Sequence, residues 1–174
     1  MTKKIDINCD MGESYYEKKL GNDSKIMPYI TSCNIACGFH GGDPNTIIKT
    51  IELAIRYDVK IGAHPSFFDL EGFGRRKMDL ELNELESIIL YQVSALKGIT
   101  ESYGKKLHHV KPHGALYNIA SVNDDIAETI VLTIKKIDPN LKLYGPSKMK
   151  WKEISKKHKI EYVSEVFSDR NYND

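Results

Sequence analysis

The chain has 174 residues, 41% of them hydrophobic, enough for one domain with a substantial core. Its 25 basic and 24 acidic residues leave a formal net charge of +1, which supplies no field for nucleic acid or an anionic membrane surface. No run approaches the roughly 20 apolar residues of a membrane span, and the strand-like run after Met1 to Lys4 is too short for a signal-peptide core, so a reducing cytoplasm is the expected compartment.

Ile5 to Cys9 reads as a short strand ended by the polar cluster Asp10 to Glu13. A connection rich in tyrosine and lysine, Ser14 to Lys25, has no clear period, and Ile26 to Ile35 contains the second strand. That strand runs into the glycine turn Gly38-Phe39-His40-Gly41-Gly42, whose two adjacent glycines read as flexible backbone open to substrate. Asp43-Pro44 then marks a helix start, with Asp capping the free amides and Pro losing no bond at the first position. Ile47, Ile51 and Ala54 give that helix an apolar face. Val59 to Ala63 is the third strand, ending at His64-Pro65, and the long loop Ser66 to Met78 carries Gly72-Phe73-Gly74-Arg75-Arg76.

Leu82, Leu85, Ile89, Val93, Leu96, Ile99 and Tyr103 trace a helix of roughly six turns, with Gly104 placed as its left-handed cap. Leu107 to Val110 is the fourth strand, ending at Lys111-Pro112-His113-Gly114. A helix with Ile126, Ile130, Ile134 and Ile137 inward follows, then a strand at Leu141 to Tyr144, a helix over Ser147 to His158 and a sixth strand over Glu161 to Val166. Strands alternating with helices mean parallel β with helical cover. Ionisable residues at the ends of strands one to four favour a barrel, where every strand end faces one mouth. Six strands do not complete a regular eight-stranded barrel, so the expected fold is an α/β, distorted, incomplete (β/α) barrel forming one domain over residues 1–174.

The candidate site gathers at those strand ends. Asp10 and Glu13, three apart on a turn, can bind a metal, act as general base or hold an ammonium group. His40, His64 and His113 each sit beside Gly or Pro; imidazole is both the commonest ligand for zinc-like metals and the commonest acid/base near neutral pH. With Asp10 they form a possible mixed nitrogen/oxygen metal site with room for water. Lys111, held extended by Pro112, can bind a carboxylate or stabilise an oxyanion. Arg75 or Arg76 can clamp a carboxylate or phosphate. Asp43 reads as a helix cap that also stands at the mouth.

His108 and His109 read mainly as structure, and His158 as surface. Cys33 and Cys37, four apart with no second pair, read as small buried hydrophobes like Cys9. No phosphate-cradling glycine motif is present.

Together, Asn8-Cys9-Asp10-Met11-Gly12-Glu13, Ser32 to Pro44, Gly62 to Pro65, Gly72 to Arg76, Tyr91-Gln92, Val110 to Asn118 and Phe167 to Tyr172 resemble the LamB/YcsF family. Ser168 stands where that family usually has Ala, and Ser66-Phe67-Phe68 departs from its Gly-aromatic-Pro. The resemblance implies a distorted, roughly seven-stranded β/α barrel akin to polysaccharide deacetylases. It implies a longer chain, with final strands and helices expected beyond residue 174. It also implies the A-subunit role in ATP-dependent opening of the 5-oxoproline lactam to glutamate, performed with subunits B and C, ATP acting through the complex. On that reading Asp10, Glu13, His40 and Lys111 are catalytic, and His64, His113, Arg75 and Asp43 bind substrate. Two rivals stand beside it: a metal-dependent hydrolase of carbohydrate amides, and a non-catalytic scaffold that binds substrate for its partners.

Overall fold

The computed structural model describes residues 5–147 and 150–168. The motif positions Asp169 to Tyr172 lie outside the described residues. Six parallel strands form one sheet in sequential order: β1 (Asn8–Met11), β2 (Ser32–Ala36), β3 (Lys60–His64), β4 (His109–Val110), β5 (Lys142–Pro146) and β6 (Tyr162–Glu165). A sequential order with helical crossovers is the topology of a barrel wall, whereas a doubly wound sheet reverses at a switch point. The sheet curls until Asn8 Nδ2 on β1 donates to Glu165 Oε2 on β6 at 3.2 Å, although no backbone pairing joins these two strands. This is the expected incomplete barrel.

The covering helices are α1 (Asp23–Ile26), α2 (Pro44–Arg56), α3 (Leu82–Ser102), α4 (Gly114–Ala120), α5 (Asp124–Ile137) and α6 (Trp151–His158). Residues 23–29, expected to lead into a strand, are helical turns instead, because Pro28 sits at the start of a 3-10 turn and has no amide for a ladder. The short α4 escaped the sequence reading since Gly114 and two alanines give it no long apolar stripe. Strand β1 begins three residues later than expected, and α3 ends at Ser102 with Gly104 at φ +73°, the left-handed conformation foreseen there.

Strand alternation divides two environments. Met11, Cys33, Ile35, Ile61, Ala63, Val110 and Leu143 face the helices and form the apolar core with Ile51, Leu85, Ile89, Leu96, Ile130 and Ile134. Burying each of these large aliphatic side chains contributes about 1.5–3 kcal/mol. The alternate positions Asn8, Asp10, Asn34, His109 and Tyr144 point the other way and are joined by hydrogen bonds inside the barrel or stacked there. Barrel interiors are ordinarily packed with branched apolar residues; this one is polar from floor to mouth. The cysteines are free thiols, and burial pushes those of Cys33 and Cys37 up to about 12, so they are protonated packing groups.

Candidate active site

The carboxyl ends of β1, β3 and β4, with the loop after β2, bring Asp10, Glu13, His40, His64, Lys111 and His113 to one mouth. The turn after β2 is pinned to the turn after β1 by Gly42 N–H donating to Ser14 O at 3.0 Å. A Cβ on Gly41 would stand 2.5 Å from the Glu13 carbonyl oxygen. Gly41 therefore admits the neighbouring backbone, and the substrate-access role expected for the glycine pair gives way to packing.

The hydrogen-bond partners decide the histidine tautomers. His64 Nδ1 lies 2.6 Å from the Lys111 carbonyl oxygen, and His113 Nε2 lies 2.8 Å from that of Phe73. Carbonyls only accept, so both nitrogens carry hydrogen. His40 Nδ1 is 2.9 Å from Ser66 Oγ, whose own hydrogen goes to Phe67 O at 2.9 Å, so His40 Nδ1 also donates. The remaining nitrogens, His40 Nε2, His64 Nε2 and His113 Nδ1, present lone pairs to one another and to Glu13 Oε1.

The separations are 3.0 Å from His113 Nδ1 to His64 Nε2, 3.2 Å from His40 Nε2 to Glu13 Oε1 and 3.7 Å from His113 Nδ1 to Glu13 Oε1. All four ligand atoms lie within 4.8 Å of one another. Two facing lone pairs at such distances require a cation between them, either a shared proton or a metal ion. Ligand bonds of 2.0–2.1 Å in a tetrahedral zinc-like site put ligand atoms about 3.4 Å apart, so the observed donor set fits a divalent ion. Each imidazole is also fixed through its outer nitrogen, the arrangement that orients metal-binding histidines.

Burial, the largest cause, holds His40 down to about 2 and His113 down to about 3, so neither ring carries a second proton at neutral pH. The two rings stack at 3.7 Å and 2°, with Phe73 edge-on to both. Burial raises the Glu13 pKa.

Asp10 differs from the expected ligand set. Its Oδ2 is 3.4 Å from His64 Nε2, but Oδ1 accepts from Asn34 Nδ2 at 2.7 Å and from Lys111 Nζ at 3.3 Å. Glu13 takes the fourth place in the cluster because the chain leaves the strand at Gly12 (φ +67°) and swings Glu13 toward His40. Burial opposes the Asp10 charge, but the Lys111 ammonium and the Asn34 amide favour it, and the carboxyl is held well below its ordinary range. It is an ionised carboxylate at neutral pH and lines a cavity of about 350 Å³.

That cavity is lined by Asp10, His64, Arg75, Lys111, His113 and Phe167 among others. Lys111 is almost fully committed: its ammonium also bridges to Glu165 Oε2 at 3.2 Å and Asn8 Oδ1 at 3.1 Å. Arg75 is exposed, with its guanidinium 5.3 Å from the Phe73 ring centroid, while Arg76 is tied to Asp69. Asp43, expected both as a helix cap and at the mouth, is engaged as the cap. Its carboxylate accepts from Asn45 N at 3.0 Å, Thr46 N at 3.2 Å and Tyr16 N at 3.0 Å, which caps α2 and holds the loop after β1. Those hydrogen bonds explain its lowering to about 2.

Sequence reasoning missed Glu165, Ser66, Gln92, Asn8 and Asn34. Gln92 lies fully buried in α3 and clamps Ser66 by donating to its carbonyl and accepting from its amide, both at 2.9 Å. The one signal for Asn8 and Asn34 was polar residues recurring at every second strand position.

Fold and site together define the class: a β/α-barrel enzyme whose strand ends present a histidine-carboxylate centre suited to hydrolysis. The chain belongs to the LamB/YcsF family, whose model matches residues 5–174. It is 48% identical to proteins named as the A component of 5-oxoprolinase from Bacillus cereus (strain Q1) and Brevibacillus brevis (strain 47), over 97% and 98% of this chain and 67% of each relative. The crystal structure of a lactam utilization protein from Thermus thermophilus matches with a TM-score of 0.95 at 44% identity, covering 98% of this chain and 69% of that one. A putative cellobiose-phosphate cleavage protein from Enterococcus faecalis V583 shares the fold, with a TM-score of 0.58 at 16% identity over 93% of this chain and 67% of its own. The chain spans about two thirds of the length of the curated relatives it matches. Among the described residues no helix is long and apolar enough to cross a membrane.

Proposed function

We propose that this chain is the lactam-opening A component of an ATP-dependent 5-oxoprolinase, working with subunits B and C in the cytoplasm to convert 5-oxoproline to glutamate. Family membership and the names of relatives support the substrate. The observation that carries the chemistry is the convergence of three imidazole lone pairs and a carboxylate oxygen beside the ionised Asp10. Opening the ring adds water to the lactam carbonyl carbon, breaks the carbon–nitrogen bond and leaves an amine and a new carboxylate. Asp10 Oδ2 accepts the proton of the attacking water and returns it to the leaving nitrogen.

Lys111 holds Asp10 charged and aimed. Arg75, the exposed cation on the cavity wall, takes the ring carboxylate. Glu13, His40, His64 and His113 are the residues that would hold a divalent ion, which when bound supplies Lewis-acid polarisation of a carbonyl and acidifies water. ATP acts through the partner subunits by activating the lactam oxygen.

The test is ATP-dependent glutamate release from 5-oxoproline by the chain assembled with subunits B and C. Turnover should disappear in Asp10→Asn. Undiminished release in the double variant His40→Ala/His64→Ala would overturn the site, and absence of turnover in the wild-type assembly would overturn the function.

A further inference from the structure

The barrel floor beneath Asp10 holds a polar column where apolar packing would serve the fold. His109, fully buried in β4, stacks on Tyr144 with ring centroids 4.0 Å apart at 20°. On its other side lies Gly62, where any Cβ would collide with the imidazole. His109 Nε2 is 2.7 Å from Asn34 Oδ1; an amide oxygen only accepts, so Nε2 carries hydrogen. Asn34 Nδ2 then donates to Asp10 Oδ1 at 2.7 Å and to Asn8 Oδ1 at 2.8 Å.

The amide has one possible orientation. Flipped, it would set Oδ1 against the oxygens of Asp10 and Asn8. In the orientation adopted, the His109 N–H holds the amide oxygen, and the amide nitrogen occupies Asp10 Oδ1. The other oxygen, Oδ2, stands 3.4 Å from His64 Nε2. A buried polar chain is favourable only when every member is satisfied, and this one ends on the carboxylate.

We propose that His109 and Asn34 are positioning residues for lactam opening, acting through Asp10 without touching substrate. The proposal rests on the reading of Asp10 as general base. It predicts that the pair governs kcat and leaves substrate binding alone.

The experiment measures glutamate release from 5-oxoproline and ATP by the chain assembled with its partner subunits. In His109→Leu, which nearly keeps the volume, and Asn34→Leu, which keeps the branched shape, kcat falls tenfold to a hundredfold, the scale set by loss of an orienting hydrogen bond. KM stays within about twofold. His109→Gln, whose Nε2 can donate to Asn34 Oδ1, recovers most of the rate. Unchanged kcat in folded His109→Leu overturns the proposal, and so does an equal loss in His109→Gln, which would mark a packing role. Where leucine at position 109 prevents folding, Asn34→Ala decides: lower kcat at constant KM supports the proposal and unchanged kcat overturns it. A wild-type assembly without turnover overturns the functional reading and the positioning role together, whereas an active wild type with unaffected variants overturns the positioning role alone.

Discussion

Ser66 touches no ligand atom of the proposed metal group other than through His40, which makes it a sensitive probe of the tautomer argument. In Ser66→Ala the His40 Nδ1–H loses its acceptor in a site where His40 is 1% exposed and Ser66 fully buried. Leaving that donor unsatisfied costs about 1–3 kcal/mol. His40 escapes the cost by moving its hydrogen to Nε2, where Glu13 Oε1 at 3.2 Å accepts it. The escape removes one lone pair from the cluster and occupies the carboxylate oxygen, so a divalent ion must reverse it on binding. The same 1–3 kcal/mol then appears as a loss of affinity of about 5- to 150-fold. Competition of Zn²⁺ or Co²⁺ against a chromophoric chelator measures it on the purified chain, with circular dichroism to establish folding. Wild-type affinity in a folded Ser66→Ala protein would refute the assignment of the His40 tautomer.

Acidification should destabilise the fold early. His40 and His113 are held down to about 2 and 3, against 6.5 when unfolded, so below pH 6.5 the unfolded chain binds more protons. Stability is therefore full above that pH and falls below it, with a slope of at most about 1.4 kcal/mol per pH unit for each histidine; a urea midpoint that stays flat from pH 7 to pH 5 would contradict this. Replacing Arg75 by Gln raises KM for 5-oxoproline about tenfold with kcat nearly unchanged, through loss of a charge-assisted hydrogen bond; unchanged KM in steady-state assays of the assembly would remove Arg75 from the pocket. Asp43→Ala lowers unfolding free energy by about 1–2 kcal/mol through loss of the α2 cap, and an unaltered denaturation midpoint would show that the cap is dispensable.

The helix faces and the barrel wall were legible because they depend on periodicity. Ile47, Ile51 and Ala54 on α2 and Leu85, Ile89, Val93 and Leu96 on α3 are buried as their spacing requires. The mouth was legible for a related reason: His40, His64 and His113 stand beside Gly or Pro where strands end. Which carboxylate joined them was not legible, since Asp10 and Glu13 differ only by where the chain leaves the strand at Gly12. Nor was the commitment of Asp43, because its partner Tyr16 lies in a loop without any period. His109 was assigned to structure for want of a Gly or Pro beside it, and its reach to Asn34 depends on a register across β2, β3 and β4 that no local pattern reveals.

The polar interior explains why two carboxylates three residues apart can do different work. Asn8 and Asp10 occupy alternate positions of β1 and therefore share the barrel's inner face, while Cys9 and Met11 face the helices. Asp10 is consequently bound to the rigid column of Asn34, Lys111 and Glu165, with its charge held by an ammonium at 3.3 Å. Glu13 has left the strand and stands among the imidazoles, where burial raises its pKa. One carboxylate is held by the strand scaffold and the other stands apart from it. A general base must be ionised before substrate enters, and a metal ligand must give up its proton to hold the ion. On the proposed reading Asp10 takes the first task and Glu13 the second, and strand alternation with a glycine turn between them is enough to separate the two.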